Sequence, residues 1–220
     1  SDLLELGVPF SDPLADGPTI QQSTQIALDN GTTTAVCLQA VRTLRQRGIT
    51  TPIMLMGYYN PILAYGLERF VRDAKDAGVQ GFIVPDLPPE EASELAKEAS
   101  GLGLAYIYFL APTSSMDRIE QVTDQAQGFI YLVSVTGVTG ARQSLQSDLA
   151  EFVDRVRSRS TAPLAIGFGI STPAHAASVA QLADGVIVGS ALINAVNAND
   201  TDKPSAAAAF VHALQVSLNK

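Results

Sequence analysis

Leu164-Ala-Ile-Gly-Phe-Gly-Ile-Ser171 is an apolar run that leaves its strand through two glycines set one residue apart. Residues 164–168 read as a buried strand and Gly167-Phe-Gly-Ile-Ser171 as the turn that follows it. Glycines let a backbone approach a ligand closely, and the N–H groups of such a turn suit a phosphate dianion. The next apolar strand, 185–188, ends in a similar turn, Val188-Gly-Ser-Ala191, at the start of a short helix. Free N–H groups, a hydroxyl and the helix dipole favour an anion there. Either turn alone is also read as an ordinary strand-to-helix connection, but two on consecutive strands point to one anion site. In (β/α)8 barrels that site is commonly built after strands seven and eight, with a short extra helix.

Working outward, the rest of the chain repeats one alternation. Apolar strands are expected near 3–8, 53–57, 81–85, 104–110 and 129–134, and helical stretches separate them. The first unit carries two helices, near 20–30 and 34–47. After the 53–57 strand one helix is expected, with Leu63, Leu67, Phe70, Val71 and Ala74 on one face and Gly78 closing it. Pro88 and Pro89 open the next helix, and a polar linker at 197–203 precedes the last. Seven continuously apolar strands, each followed by helix, call for a parallel α/β sheet. The expected fold is a (β/α)8 barrel forming a single domain over 1–220; a doubly wound sheet is the alternative. The chain opens directly on a strand without a start methionine, so the missing eighth unit is expected to be the barrel's first.

Composition limits the function classes. A chain of 220 residues with 46% apolar content suits one large core. A net charge of −8 argues against a nucleic-acid surface. No apolar run approaches the roughly 18 residues of a membrane span, and no signal pattern opens the chain. The single cysteine, Cys37, excludes an intrachain disulfide and suits a reducing compartment. It falls in register with Val41 and Leu44 and is read as helix core.

The chemistry falls to carboxylates. Lys75, Lys97, Lys203 and Lys220 lie on helices, in the linker or at the C-terminus, and none at the C-terminal end of a strand, which argues against a Schiff-base mechanism. His175 and His212 lie in helical stretches and support neither a histidine-bound metal nor a Ser-His-Asp triad. Glu5 sits in an apolar strand, where a carboxylate is costly without a partner. Asp16 follows at the far side of a loop stiffened by Pro9 and Pro13. Asp86, after the 81–85 strand, is either a third candidate or a helix cap before Pro88 and Pro89. The loop Thr136-Gly-Val-Thr-Gly140 reads as a glycine-hinged lid, with a plain surface loop as the alternative.

The stretch Leu4-Glu-Leu-Gly-Val-Pro-Phe-Ser-Asp-Pro-Leu-Ala-Asp16-Gly-Pro-Thr-Ile-Gln21 closely resembles the signature of the tryptophan synthase α-subunit family. Tyr59-Asn60-Pro61, Val84-Pro85-Asp86-Leu87-Pro88, Gly137-Val-Thr-Gly140, Gly167-Phe-Gly-Ile-Ser171 and Gly189-Ser190-Ala191 fall in that family's order. The resemblance implies a lyase that splits indole-3-glycerol phosphate into indole and glyceraldehyde 3-phosphate. Glu5 and Asp16 then match the two catalytic carboxylates. Gly140, Phe168, Gly169, Gly189 and Ser190 match the phosphate-binding positions. Met56, Ile83, Phe109, Tyr131 and Ile187 match the apolar wall around the indole, and Thr139 matches the lid threonine.

The resemblance also implies a cofactor-free chain, with pyridoxal phosphate on a β-subunit partner, and an α2β2 tetramer. Pro9 and Asp12 fall in the loop facing that partner. A cytoplasmic location is implied, or the plastid stroma for a plant source. Three alternatives stay open on the residues: a free-standing indole-3-glycerol phosphate lyase, another phosphate-binding barrel such as a sugar-phosphate isomerase, or an inactive chain that only docks on the β subunit.

Overall fold

The computed structural model describes residues 1–134, 142–167 and 169–218, the side chains of 142–146 excepted. The chain divides into two compact units, Ser1–Ile107 and Tyr108–Lys220.

The first unit is built on a parallel sheet of β1 (Leu4–Gly7), β2 (Ile53–Met56), β3 (Gly81–Ile83) and β4 (Ala105–Ile107), in that order. The register aligns Glu5 with Met54 and Gly7 with Met56, then Met56 with Ile83 and Ile83 with Ile107. Side chains alternate along a strand, so Glu5, Met54, Met56, Ile83 and Ile107 share one face. Leu55, Phe82 and Tyr106 take the other face, and all three are buried. Phe70 of helix α4 (Leu67–Ala77) packs on Phe82 with ring centroids 4.9 Å apart, which marks that second face as the one the helices cover.

Two helices, α1 (Pro18–Asp29) and α2 (Thr34–Gln46), connect β1 to β2. Thr33 caps α2 by accepting from Val36 N at 3.4 Å, and Cys37, Leu38 and Val41 form its buried stripe. Cys37 is core, as its register predicts.

Two expectations change here. The single helix expected to carry Leu63 to Ala74 on one face is two: α3 (Tyr59–Tyr65) and α4 meet at Gly66, whose φ of 93° breaks the ladder. Only glycine adopts that angle without strain. Leu63 consequently leaves the buried face and is 48% exposed. The helix expected from Pro88 begins later, as α5 (Ser93–Gly101), because 88–92 forms a separate turn. There Pro88 O accepts from Glu91 N and Ala92 N at 2.9 and 3.0 Å.

The second unit repeats the plan with β5 (Phe109–Leu110), β6 (Ile130–Val133), β7 (Leu164–Gly167) and β8 (Gly185–Val186), again parallel and in order. The run expected as one strand over 104–110 is therefore divided at Tyr108, with β4 pairing to β3 and β5 to β6. Helices α6 (Met116–Gln125) and α7 (Arg142–Arg157) bury Ile119, Val122, Phe152, Val153 and Val156. Helices α8 (Pro173–Val179), α9 (Ser190–Asn197) and α10 (Lys203–Leu218) pack together, with α10 against both others. Thr172 caps α8 through His175 N, the role its place before Pro173 predicts. Among the described residues no helix is long and apolar enough to cross a membrane.

Candidate active site

In the first unit the parallel strands deliver their C-terminal ends, and the loops that follow them, to one edge. Glu5 stands in β1 between Leu4 and Leu6, half-buried, on the face it shares with Met56 and Ile83. Its Oε1 is fully shielded from solvent and accepts no hydrogen bond among the described residues. Burial without a partner disfavours the charged form, and the carboxyl is pushed up to about 7. A carboxyl titrating there is suited both to giving and to taking a proton near neutrality.

Asp16 closes the loop that follows β1. Pro9 and Pro13 prevent this loop from continuing the strand, and a turn links Asp16 N to Pro13 O at 3.1 Å. Asp16 Oδ2 accepts from the Tyr58 hydroxyl at 2.9 Å, and that hydroxyl accepts from Ala15 N at 2.9 Å. Burial raises the Asp16 carboxyl above its usual range, while the Tyr58 hydrogen bond opposes the rise. Tyr58 itself is buried, and desolvation together with the neighbouring Asp16 keeps its phenol protonated.

Asp86 does not point to proton chemistry. Both its oxygens accept from Tyr59 N, at 3.0 and 3.2 Å, so it caps α3 and not the helix after Pro88 and Pro89. A groove of about 550 Å³ opens beside this network, lined in part by Phe10, Asp12, Leu14, Tyr58 and Asp86. Pro9 is half-buried and Asp12 exposed on the loop rim, and Leu14 at the same rim is 93% exposed.

In the second unit the register aligns Phe109 with Tyr131 and Tyr131 with Ala165. Phe109 and Tyr131 stack as tilted rings 4.7 Å apart. Ile187 N continues the ladder beyond β8 by donating to Ile166 O at 2.8 Å, so Ile187 follows the same alternation. Gly169 has φ 77°, and Gly189 is the N-cap of α9, with exposed Ser190 as the first helical residue. The α9 start thus has the free N–H ends and small side chains that an anion requires. Thr139, Gly140 and Phe168, with the whole glycine-hinged loop, lie outside the described residues.

Each unit thus gathers its own share of the expected residues: Glu5, Asp16, Met56 and Ile83 in the first, Phe109, Tyr131, Gly169, Ile187, Gly189 and Ser190 in the second. Tyr58 is the residue that sequence reasoning missed. Its signal was a hydroxyl-bearing aromatic just past the C-terminal end of a buried strand, beside the quoted Tyr59-Asn60-Pro61. Among the described residues no group of three or more His, Cys, Asp or Glu side chains is placed to hold a metal ion.

Known proteins of one family resemble the chain along nearly its whole length. The profile of the family described as tryptophan synthase alpha chain matches residues 1–219. The chain is 53% identical over 215 residues to the tryptophan synthase alpha chain of Chloroflexus aurantiacus, covering 97% of this chain and 81% of that one. It is 57% identical over 193 residues to the Geobacter sp. (strain M21) protein of the same name, covering 88% and 72%. Among solved structures, tryptophan synthase subunit alpha from Legionella pneumophila superposes with a TM-score of 0.91 at 39% identity, covering 100% of this chain and 82% of that one. A tryptophan synthase from M. tuberculosis in an aminoacrylate-bound form gives 0.87 at 35% identity, covering 99% and 81%. The fold is the (β/α)8 barrel fold of these neighbours. The chain belongs to the tryptophan synthase alpha chain family, the carbon–carbon lyases that release indole from indole-3-glycerol phosphate in tryptophan biosynthesis.

Proposed function

We propose that Glu5 and Asp16 carry the proton chemistry of this lyase reaction. The observation that supports it most directly is the shielded, unpartnered carboxyl of Glu5, pushed up to about 7 on the sheet face it shares with Met56 and Ile83. The bond from indole C3 to the glycerol side chain breaks readily only once C3 is protonated and the ring becomes an electron sink. Glu5 donates that proton, then removes one from the adjoining side-chain hydroxyl, directly or through water. The O–H electrons form the aldehyde C=O, the C–C pair returns to the ring, and indole leaves. Glu5 ends as it began. Asp16 accepts a hydrogen bond from indole N1–H and stabilises the positive charge that develops there.

In this reading the apolar wall around the indole comprises Met56, Ile83, Phe109, Tyr131 and Ile187. The phosphate falls to the backbone N–H groups around Gly169, Gly189 and Ser190, with Gly140 and Phe168 completing the set and Thr139 acting from the lid. Pro9 and Asp12 face a β-subunit partner that carries its own pyridoxal phosphate, in an α2β2 assembly in the cytoplasm. An apolar side chain as exposed as Leu14 on that loop supports a docking role.

The test is indole release from indole-3-glycerol phosphate by this chain, with and without a β subunit. Release that rises with the partner and vanishes in Glu5→Gln is the expected result. Undiminished release by Glu5→Gln rejects the assignment.

A further inference from the structure

We infer that Tyr58 and Asp86 are positioning residues for Asp16, holding its carboxylate in one orientation so that it meets the indole N–H; this rests on the role proposed for Asp16 above. Tyr58 is the N-cap residue of α3, and its hydroxyl is committed twice, accepting from Ala15 N and donating to Asp16 Oδ2, both at 2.9 Å. Since the backbone N–H already occupies an acceptor position, the phenol proton is directed at the carboxylate. The Tyr58 ring is itself held, with Phe10 5.5 Å away between centroids. Asp86 fixes the next residue: its two oxygens share the Tyr59 N–H at 3.0 and 3.2 Å.

Three successive loops, after β1, β2 and β3, are therefore tied in series from Asp86 through the start of α3 to Asp16. Among the described residues Oδ1 of Asp16 accepts no hydrogen bond, so the network holds one carboxylate oxygen and leaves the other for a ligand donor. Preorganisation of this kind acts on the transition state, where the charge on N1 develops, more than on ground-state binding.

The experiment is a set of variants of the full chain, assayed for indole release with the β partner and checked by thermal melting. Tyr58→Phe is expected to lower kcat at least about tenfold with KM within about threefold. In an Asp16→Asn background the same substitution is expected to cost less than about twofold, because the group it acts through is gone. Asp86→Ala is expected to reproduce part of the loss, and Asp86→Asn, which keeps an acceptor oxygen for Tyr59 N–H, to restore most of it at equal melting temperature. Equal losses from Tyr58→Phe in both backgrounds, or Asp86→Asn no better than Asp86→Ala, overturn the inference. Full activity in Tyr58→Phe beside an impaired Asp16→Asn overturns it alone; full activity in Asp16→Asn overturns the role of Asp16 itself.

Discussion

The phenol of Tyr131 lies against the α-carbon of Gly167: a Cβ on residue 167 would overlap the phenol oxygen and lie 2.6 Å from both Cε1 and Cζ. Tyr131 belongs to β6 and Gly167 ends β7, so a ring on one strand occupies the space a side chain on its neighbour would need. The Gly167 carbonyl is also fixed, accepting from Ser134 N at 3.0 Å and from Ser134 Oγ at 2.9 Å. With its carbonyl held, the Gly167 backbone resists movement, and relief of an overlap falls to the ring.

Gly167→Ala is accordingly expected to displace the Tyr131 ring, costing about 1–3 kcal/mol of stability by overpacking and lowering indole release at least tenfold, on the order of 1.4 kcal/mol in the barrier. Urea unfolding and steady-state indole assays check it. A variant with wild-type stability and rate contradicts the close approach.

For Glu5 the two consequences run in opposite directions. Glu5→Gln removes the proton donor and is expected to lower kcat by about 10²–10⁴-fold. It also removes a carboxylate held in a shielded place without a partner. The inactive variant is expected to melt at a higher temperature than the active chain at neutral pH, which differential scanning calorimetry reads directly.

The pH dependence of stability follows from the same group. Glu5 titrates near 7 in the folded chain against 4.5 as its ordinary value. Between these values the folded state holds a proton that the unfolded state releases, so the unfolding free energy from this group falls as pH rises from 4.5 to about 7 and then levels off. The gap between Glu5→Gln and the unsubstituted chain is expected to open from near zero at the acid end to about 1–3 kcal/mol at about pH 8. Urea midpoints across that range measure it, and a constant gap contradicts a raised carboxyl.

At the other end of the substrate, Gly189→Asp sets a negative charge at the N-terminus of α9, where a phosphate is proposed to bind. KM for indole-3-glycerol phosphate is expected to rise about tenfold or more, with a smaller change in kcat. A KM that does not move removes this turn from the phosphate site.

Leu14→Asp places a charge on the loop rim where 93% of the leucine is in contact with solvent. Stimulation of indole release by the β subunit is expected to weaken several-fold more than the unassisted rate. Titration of the partner into the assay separates the two, and an unchanged stimulation curve excludes the rim from docking.

Much was legible in the residues themselves. Buried parallel strands must be apolar throughout and must alternate with helices, so the strand positions around Leu55, Phe82, Leu132 and Ile166 could be read directly. Thr172 before Pro173 marked a helix start, and Thr32, Thr33 and Thr34 offered three caps for α2, of which Thr33 serves, because a hydroxyl there answers an otherwise unpaired N–H. Glu5 stood out as a charge in an apolar strand, and the glycine-spaced turns marked themselves by composition. Gly66 was less transparent: a glycine inside a helical pattern is often tolerated, and only the φ of 93° separates a break from a continuation.

What the sequence alone determined is therefore the periodic part: which runs are strands, which faces are apolar, and which acids lack an ordinary reason to be where they are. These follow from backbone geometry and burial acting over a few neighbouring residues. Tertiary structure decided the rest, because it depends on atoms far apart in the chain. Whether Asp86 is a proton carrier or a cap, which hydroxyl holds Asp16, and how closely Tyr131 covers Gly167 are set by contacts spanning 27, 42 and 36 residues. No local pattern carries that information; strand register and loop closure do.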